Sequence, residues 1–485
     1  MLINKLINNT INVYYMEQVE FDKKVEEIIK KTNSEFIEKD LITFLKIPTN
    51  TLNKEGIQQG KDFLLSYISD ICGELMEFEG EINPLILAKV EGQIKDSILI
   101  YMMYDTQPIT NETEWISNPF NAEKKILPEP LDKLGKCIIA RGAYNSKTPL
   151  LCFLNILKIL KKNEKLPISL LLLFDGEEEI GSPSLLQYLD KKKKILKSCL
   201  DAYYPAAKQD LNGRAVLKLG YKGILSLKIK ILSKNKETHS AYSSMIPNPA
   251  ISLVNLINLM YSEYKFNITS LKNPYIPSEQ EEKIVKDLFN QIDIENIKQK
   301  AGITQILKED TKESLMNYLF NPTFNISTLK SGYLEEGTKN IVPNNAECNI
   351  DIRFAHDISI TELYREIKIF VENYAKRSKL DIKLTKKIGY EGSRVLKDSN
   401  LVRSLIKSFE KLNAQTEIWP LSAAAAPLSK IQKELGLNFI VGGLGIGGFA
   451  HSPNEFIQID SILNMRLSNY FFLKNYTHNN LKVNF

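Results

Sequence analysis

Three runs of this chain, SILIYMMY at 97–104, ISLLLLF at 168–174 and CLDAYYPA at 199–206, are apolar at nearly every position. A strand that alternates apolar and polar residues buries one face, whereas a strand apolar throughout must be covered on both. Stretches of helical spacing separate the three runs. The pattern therefore predicts an α/β fold, a mostly parallel sheet with helices on both faces. In an open sheet of that kind ligands gather beyond the carboxyl ends of the strands. Asp105 follows the first run, Asp175, Glu177, Glu178 and Glu179 follow the second, and GGLGIGGFAHSPNEF (442–456) follows a later strand, NFIVGGLG. Acidic residues also complement the dipole in the first turn of a helix, so the 175–179 cluster alone does not establish a site.

The α/β texture runs from Met16 to about Gly213. From 214 to 393 it gives way to half-buried, alternating strands (AVLKLGYKGILSLKIKILS, TFNISTLKSG, AECNIDIRFA) and two helices, NPAISLVNLINLMYSEY and ITELYREIKIFVENYAK. This reads as an inserted α+β domain. The first texture returns over 394–476 with NLVRSLIKSFEKL and NFIVGGLG.

A chain of 485 residues with 43% hydrophobic content has room for two or three domains and a large core. Its 63 Lys and Arg against 58 Asp and Glu leave a formal charge of +5, spread along the chain, and no nucleic-acid partner is expected. The one dense basic run, KKKKILK at 191–197, reads as the solvated face of a helix. Five separated cysteines without a CxxC pair suit a reducing compartment, and a cytoplasmic protein is expected. The segment MLINKLINNTINVYY makes a poor signal peptide, Met16 is an alternative start, and no apolar run is long enough to span a bilayer.

Six segments in register resemble one family. YMMYDTQP resembles its Gly-His-x-Asp-x-x-Pro strand end, and EWISNPF its Trp-x-x-x-Pro-Phe. GKCIIARGAYNSK resembles Gly-Arg-Gly-x-x-Asp-x-Lys, and DGEEEIGS resembles Glu-Gly-x-Glu-Glu-x-Gly-Ser. HSAYSSMIPNPA is similar to the family's lid segment and GGFAHSPNEF to its closing His-Ser-x-Asn-Glu. The family is that of the zinc-dependent aminoacylases and peptidases, which includes acetylornithine deacetylase, succinyl-diaminopimelate desuccinylase, carnosinase-type dipeptidases and the glutamate carboxypeptidases. The resemblance implies two metal ions, zinc or else cobalt or manganese, sharing a bridging Asp and a water whose pKa they lower. It implies Glu178 as general base, Glu179 and His451 as metal ligands, and Asp105 as the group orienting the first metal-binding His. It also implies an insert that serves as lid and dimerisation domain, and hence a homodimer, with a small peptide or N-acyl amino acid as substrate.

Three ligand positions depart from the pattern. Met103 stands where the first His is expected, Asn145 where the bridging Asp is expected, and Ala206 or Ala207 where a later carboxylate is expected. A thioether is a poor zinc ligand, an amide offers one neutral oxygen where a bridge needs two charged ones, and alanine offers none. A shifted alignment would recruit Asp201 or Asp210. Without a cation the clustered carboxylates repel one another, so Lys208 or Lys147 is expected to supply an ammonium in its place.

Outside the metal shell, His239 resembles the lid His that stabilises the oxyanion of the tetrahedral intermediate. Asn340 and Arg353 resemble substrate-binding lid residues, Arg353 being suited to a carboxylate fork and equally to a strand-surface ion pair. GGLGIGG lacks a following Gly-Lys-Ser/Thr and reads as a close-packed loop. HSPNE also reads as a helix start, with Ser452 as N-cap, Pro453 in the first turn and Glu455 closing a capping box.

The primary reading is a metallopeptidase-like hydrolase, because the base and two ligand positions survive. The alternative is a catalytically inactive binding or regulatory protein, without metal, and a third possibility is metal-independent chemistry on the same site.

Overall fold

The computed structural model describes residues 20–292, 294, 298, 303–307, 311–425 and 429–481. The N-terminal segment and the candidate start at Met16 lie outside them. The described residues fall into two compact units, one made of the chain up to Leu217 with Val395–Glu417 and the chain from Ile431, the other of Lys218–Arg394 with Ile418–Lys430.

Six strands build the main sheet of the first unit: β1 (Glu74–Phe78), β2 (Leu85–Val90), β3 (Ile94–Met103), β4 (Ile168–Asp175), β5 (Cys199–Pro205) and β6 (Phe439–Gly442), in the order β1-β2-β4-β3-β5-β6. All eight residues of β4 are buried, as its uninterrupted apolar run requires. Strands β4, β3, β5 and β6 pair in parallel. The expectation of a mostly parallel sheet is corrected at one edge, where β1 and β2 pair antiparallel with each other and β2 pairs antiparallel with β4. The sheet is mixed because the short 79–84 connection leaves no room for a crossover, and a hairpin can only be antiparallel.

The helix Lys147–Lys162 lies against β3 and β5, and the C-terminal helix Ile459–Leu481 packs on it and on the helix Asn400–Glu410. Arg466 of the C-terminal helix is fully buried. It donates to Ile29 O (2.8 Å), Asn33 Oδ1 (3.0 Å), Thr32 Oγ1 (3.0 Å) and Asn155 Oδ1 (2.7 Å), so one side chain ties three helical segments together. A second, antiparallel sheet joins Gly447–Gly448, Phe456–Gln458, Lys136–Ile139 and Glu123–Ile126 in that order. Phe456 stands opposite Ile139, which brings two distant stretches of chain side by side.

The second unit holds a four-stranded antiparallel sheet, ordered Thr323–Ser331, Asn345–Phe354, Gly223–Leu232 and Asp381–Tyr390. Alternate residues of Asn345–Phe354 are buried, and the apolar ones pack with the helices Pro249–Met260 and Ile360–Ser378. Residues 418–430, expected within the returning α/β part, belong to this unit instead. Backbone bonds explain the difference: Leu219 donates to Trp419 O at 2.9 Å and Ser422 to Gly220 O at 2.7 Å. Among the described residues all five cysteines are unpaired, and no helix is long and apolar enough to cross a membrane.

Removing the Arg466 guanidinium takes the donor from four acceptors, the Ile29 carbonyl in a buried bond and the other three in half-buried ones. Arg466→Met is expected to cost about 3 kcal/mol of unfolding free energy, read as a lower urea midpoint at unchanged slope.

Candidate functional site

Strand β3 delivers Met103 beside Asp175, the last residue of β4. Beyond these ends the four clustered acids separate into two roles. Asp175 accepts from Tyr101 OH (2.7 Å), Ser182 Oγ (2.7 Å) and its own turn at Glu177 N (2.8 Å). Glu177 is buried and accepts from Ile82 N (2.7 Å), Asn83 N (2.9 Å) and Ser184 N (3.0 Å). Both carboxylates are fully buried, and they satisfy backbone and hydroxyl donors that would otherwise be orphaned.

Asp105 is fully buried and receives Thr51 Oγ1 (2.9 Å), Glu178 N (3.2 Å) and Glu179 N (3.1 Å). The resemblance implied a carboxylate that orients a histidine. Met103 leaves no histidine to orient, and Asp105 holds the Glu178–Ile180 turn instead.

Glu178 and Glu179 project from that turn. Burial, then Glu179, Asp105 and Asp175, push the Glu178 carboxyl well above the usual range, and Lys208 opposes that shift. Burial in turn lowers the Lys208 ammonium, with Glu178 acting against it. Lys208 is thus the cation whose field opposes the Glu178 shift; its Nζ lies 6.0 Å from the centre of the Tyr144 ring. Lys147, the other lysine considered, is spent elsewhere: its Nζ donates to Phe44 O (3.1 Å) and Ile47 O, and burial pushes it down to about 7.

Glu179 is ringed by donors. Gln107 Nε2 donates to its Oε2 at 2.9 Å, Asn145 Nδ2 donates to its Oε1 at 2.9 Å, and His451 Nε2 lies 3.1 Å from Oε2. The contact with Glu179 raises the His451 pKa. Asn145 Nδ2 also lies 3.1 Å from His451 Nε2, while Asn145 Oδ1 accepts from Ser146 Oγ (3.0 Å), itself 2.8 Å from Tyr204 OH. Gln107, Ser146 and Tyr204 were not singled out from the sequence. Gln107 was legible within YDTQP, but nothing in the order of residues links Tyr204 to Ser146.

The loop carrying Asn145 is held by Glu455. Its carboxylate accepts from Arg141 Nη1 (2.7 Å), Gly142 N (3.1 Å), Tyr144 N (3.0 Å) and Asn145 N (2.8 Å), with both side chains of the ion pair 1% exposed. The capping-box reading of HSPNE is therefore corrected: 451–454 form turns, the C-terminal helix starts only at Ile459, and Glu455 bonds a loop some three hundred residues away in sequence. His451 sits at a φ of +64° in those turns and is exposed. The glycine loop before it is close-packed, since a Cβ at Gly443 would overlap Ala206 O and one at Gly445 would overlap Met465.

Met103 is buried at 1% exposure, and Ala206 and Ala207 are buried. Neither alternative carboxylate is recruited. Asp201 lies near the start of β5, away from the carboxyl end, bonded to Tyr476 OH (2.6 Å) and Asn438 Nδ2 (2.9 Å). Asp210 is taken up by Arg214 N (2.8 Å), Arg214 Nε (3.0 Å) and Asn212 N (2.9 Å). Among the described residues no group of three or more His, Cys, Asp or Glu side chains is placed to hold a metal ion.

The remaining candidates lie in the second unit. His239 is exposed, pairs through its strand with Ile341, and accepts Ala241 N on Nδ1 at 3.1 Å. Asn340 O receives Ser240 N at 3.0 Å, so Asn340 and His239 are neighbours. Arg353 is 35% exposed, with its Nε 3.9 Å from Asp351, too long for a firm ion pair.

A model of peptidase family M20/M25/M40 matches residues 99–467. The chain is similar to the β-Ala-His dipeptidase of Homo sapiens, 23% identical over 61% of this chain and 58% of that protein, so it spans less than two thirds of that relative. It is similar to a Cys-Gly metallodipeptidase of Schizosaccharomyces pombe, 23% identical over 91% of this chain and 95% of that protein. Among solved structures, an M20 family metallo-carboxypeptidase from Sulfolobus solfataricus superposes with a TM-score of 0.79 at 26% identity, covering 90% of this chain and 98% of that one.

Burial raises Asp175 as well. A carboxyl whose folded pKa exceeds its unfolded value stabilises most below the unfolded value, about 4, and loses that contribution as pH rises through the folded one. Melting temperatures measured between about pH 4 and 7, below the point where buried Lys147 starts to lose its proton and adds a contribution of opposite sign, should fall with rising pH, and Asp175→Asn should flatten the curve. Lys208→Ala, which removes the cation whose field opposes the Glu178 shift, is expected to lower the melting temperature at neutral pH.

Proposed function

This chain belongs to peptidase family M20/M25/M40, and on that premise we propose that it hydrolyses the amide bond of a dipeptide or N-acyl amino acid with Glu178 as the proton-accepting group. The observation that carries the reading is the Glu178 carboxyl at the end of β4, on a turn clamped by Asp105 and opposed by Lys208. A lysine whose field opposes the upward shift favours the ionised carboxylate, and the clamped turn fixes its direction, as general-base catalysis needs. In the step assigned to Glu178, a water oxygen bonds to the amide carbon while one water proton passes to the carboxylate. That proton then goes to the departing nitrogen as the carbon–nitrogen bond breaks, leaving an acid and an amine. We assign His239 to the oxyanion, and Asn340 and Arg353 to the substrate carboxylate, which the 3.9 Å separation of Arg353 Nε from Asp351, too long for a firm ion pair, supports.

The residues present do not fit the two-zinc centre that the family implies. Glu179 and His451 are the surviving donors, and zinc takes three or four from protein. A buried thioether at Met103, an amide at Asn145 and a methyl at Ala206 supply neither the charge nor the oxygen atoms of the missing ones. No step is therefore routed through a metal.

We also propose a homodimer formed through the second unit, acting as lid and dimerisation domain. Its helix Pro249–Met260 exposes Ile251 (59%) and Val254 (56%), and the edge strand Thr323–Ser331 exposes Leu329 (56%).

A second reading, a ligand-binding protein without hydrolysis, is favoured by the Asn145 amide that occupies both surviving ligand positions. Incubation with Cys-Gly, β-Ala-His and N-acetyl amino acids, followed by chromatography of released amino acids, separates the two. Hydrolysis that falls at least about 100-fold in kcat/KM in Glu178→Gln is the expected result. Calorimetric binding without turnover, lost in Arg353→Ala, would replace the first reading by the second.

A further inference from the structure

We propose that the Asn145 amide is a built-in replacement for the family's metal pair: it links Glu179 to His451 by hydrogen bonds, and the site is assembled and held without a metal ion. The inference concerns assembly and does not rest on hydrolysis.

The orientation of the amide follows from its neighbours. If Asn145 turned its oxygen toward Glu179, two acceptors would meet 2.9 Å apart; with Nδ2 there, the amide donates to Glu179 Oε1, and Oδ1 receives Ser146 Oγ at 3.0 Å. Ser146 in turn is fixed by Tyr204 at 2.8 Å. Gln107 donates to the other oxygen of Glu179 at 2.9 Å. Both oxygens of this carboxylate thus receive protein N–H donors, the usual way a buried carboxylate is satisfied when no cation reaches it.

His451 completes the link. Its Nε2 stands 3.1 Å from both Asn145 Nδ2 and Glu179 Oε2. Protonated, that nitrogen donates to Glu179; deprotonated, it accepts from Asn145. In either state the lone pair a metal would need is engaged or absent.

One substitution decides the matter. Asn145→Asp would place a second carboxylate 2.9 Å from Glu179 Oε1 and, with Glu179 and His451, complete three donors suited to zinc. Wild type, Asn145→Asp and Asn145→Ala are purified without chelators and dialysed against zinc. Bound metal is counted by mass spectrometry, and melting is recorded with and without zinc. The wild type should hold less than about 0.1 zinc per chain and melt at the same temperature with or without it. Asn145→Asp should melt at least about 5 °C lower without zinc and recover with it, whereas Asn145→Ala should melt lower and gain nothing from zinc. A wild type that binds about one zinc or more per chain, or is stabilised by it, overturns the proposal whether or not either variant folds. Asn145→Asp melting as the wild type does, with zinc and without, overturns it as well. Neither result bears on whether the chain cleaves dipeptides, which the chromatographic assay reads separately.

Discussion

The site depends on one buried carboxylate. Glu455 accepts from Arg141 and from three successive-turn backbone donors, Gly142, Tyr144 and Asn145. Those donors belong to a loop that has no ladder of its own to enter, and a buried loop without partners is not stable. The small sheet that pairs Phe456 with Ile139 puts Glu455 within reach, and the ion pair with Arg141 compensates the charge. Asn145 is carried on that loop, and His451, which it contacts, on the turn beside Glu455.

Charge balance explains the rest of the arrangement. Five acids crowd the carboxyl ends of β3 and β4 or their turns: Asp105, Asp175, Glu177, Glu178 and Glu179. Three of them, Asp105, Asp175 and Glu177, are spent on backbone amides and hydroxyls, which orders the turn and removes them from the cleft. Glu178 is answered by Lys208, and Glu179 by two amides and a histidine. The donors to Glu179 from Gln107 and Asn145 are neutral amides, which cost less desolvation than isolated charge.

The apolar runs at 97–104, 168–174 and 199–206 announced the central strands because burial on both faces leaves only one composition that works. The motifs that mark the family were legible for the same local reason: each is a strand end or turn with fixed spacing. The antiparallel edge was not, since β1 is largely exposed and reads as a weak strand; the brevity of the 79–84 connection is what set its direction. Glu455 was misread as a cap because a capping box and a carboxylate nest share the same residues, and only a partner loop near Arg141 tells them apart.

The order of residues by itself determined the α/β class and the family, and it singled out Glu178, Glu179 and His451 as candidates, with Met103, Asn145 and Ala206 as departures from the family pattern. Each of those follows from side-chain chemistry at a local position. Tertiary structure alone decided that Lys147 is committed to backbone carbonyls, that Asp201 and Asp210 are committed elsewhere, and that Asn145 joins Glu179 to His451. These are contacts between residues tens to hundreds of positions apart, and a hydrogen bond effective over about 3 Å is set by where the sheet and its loops bring two groups, not by their spacing along the chain.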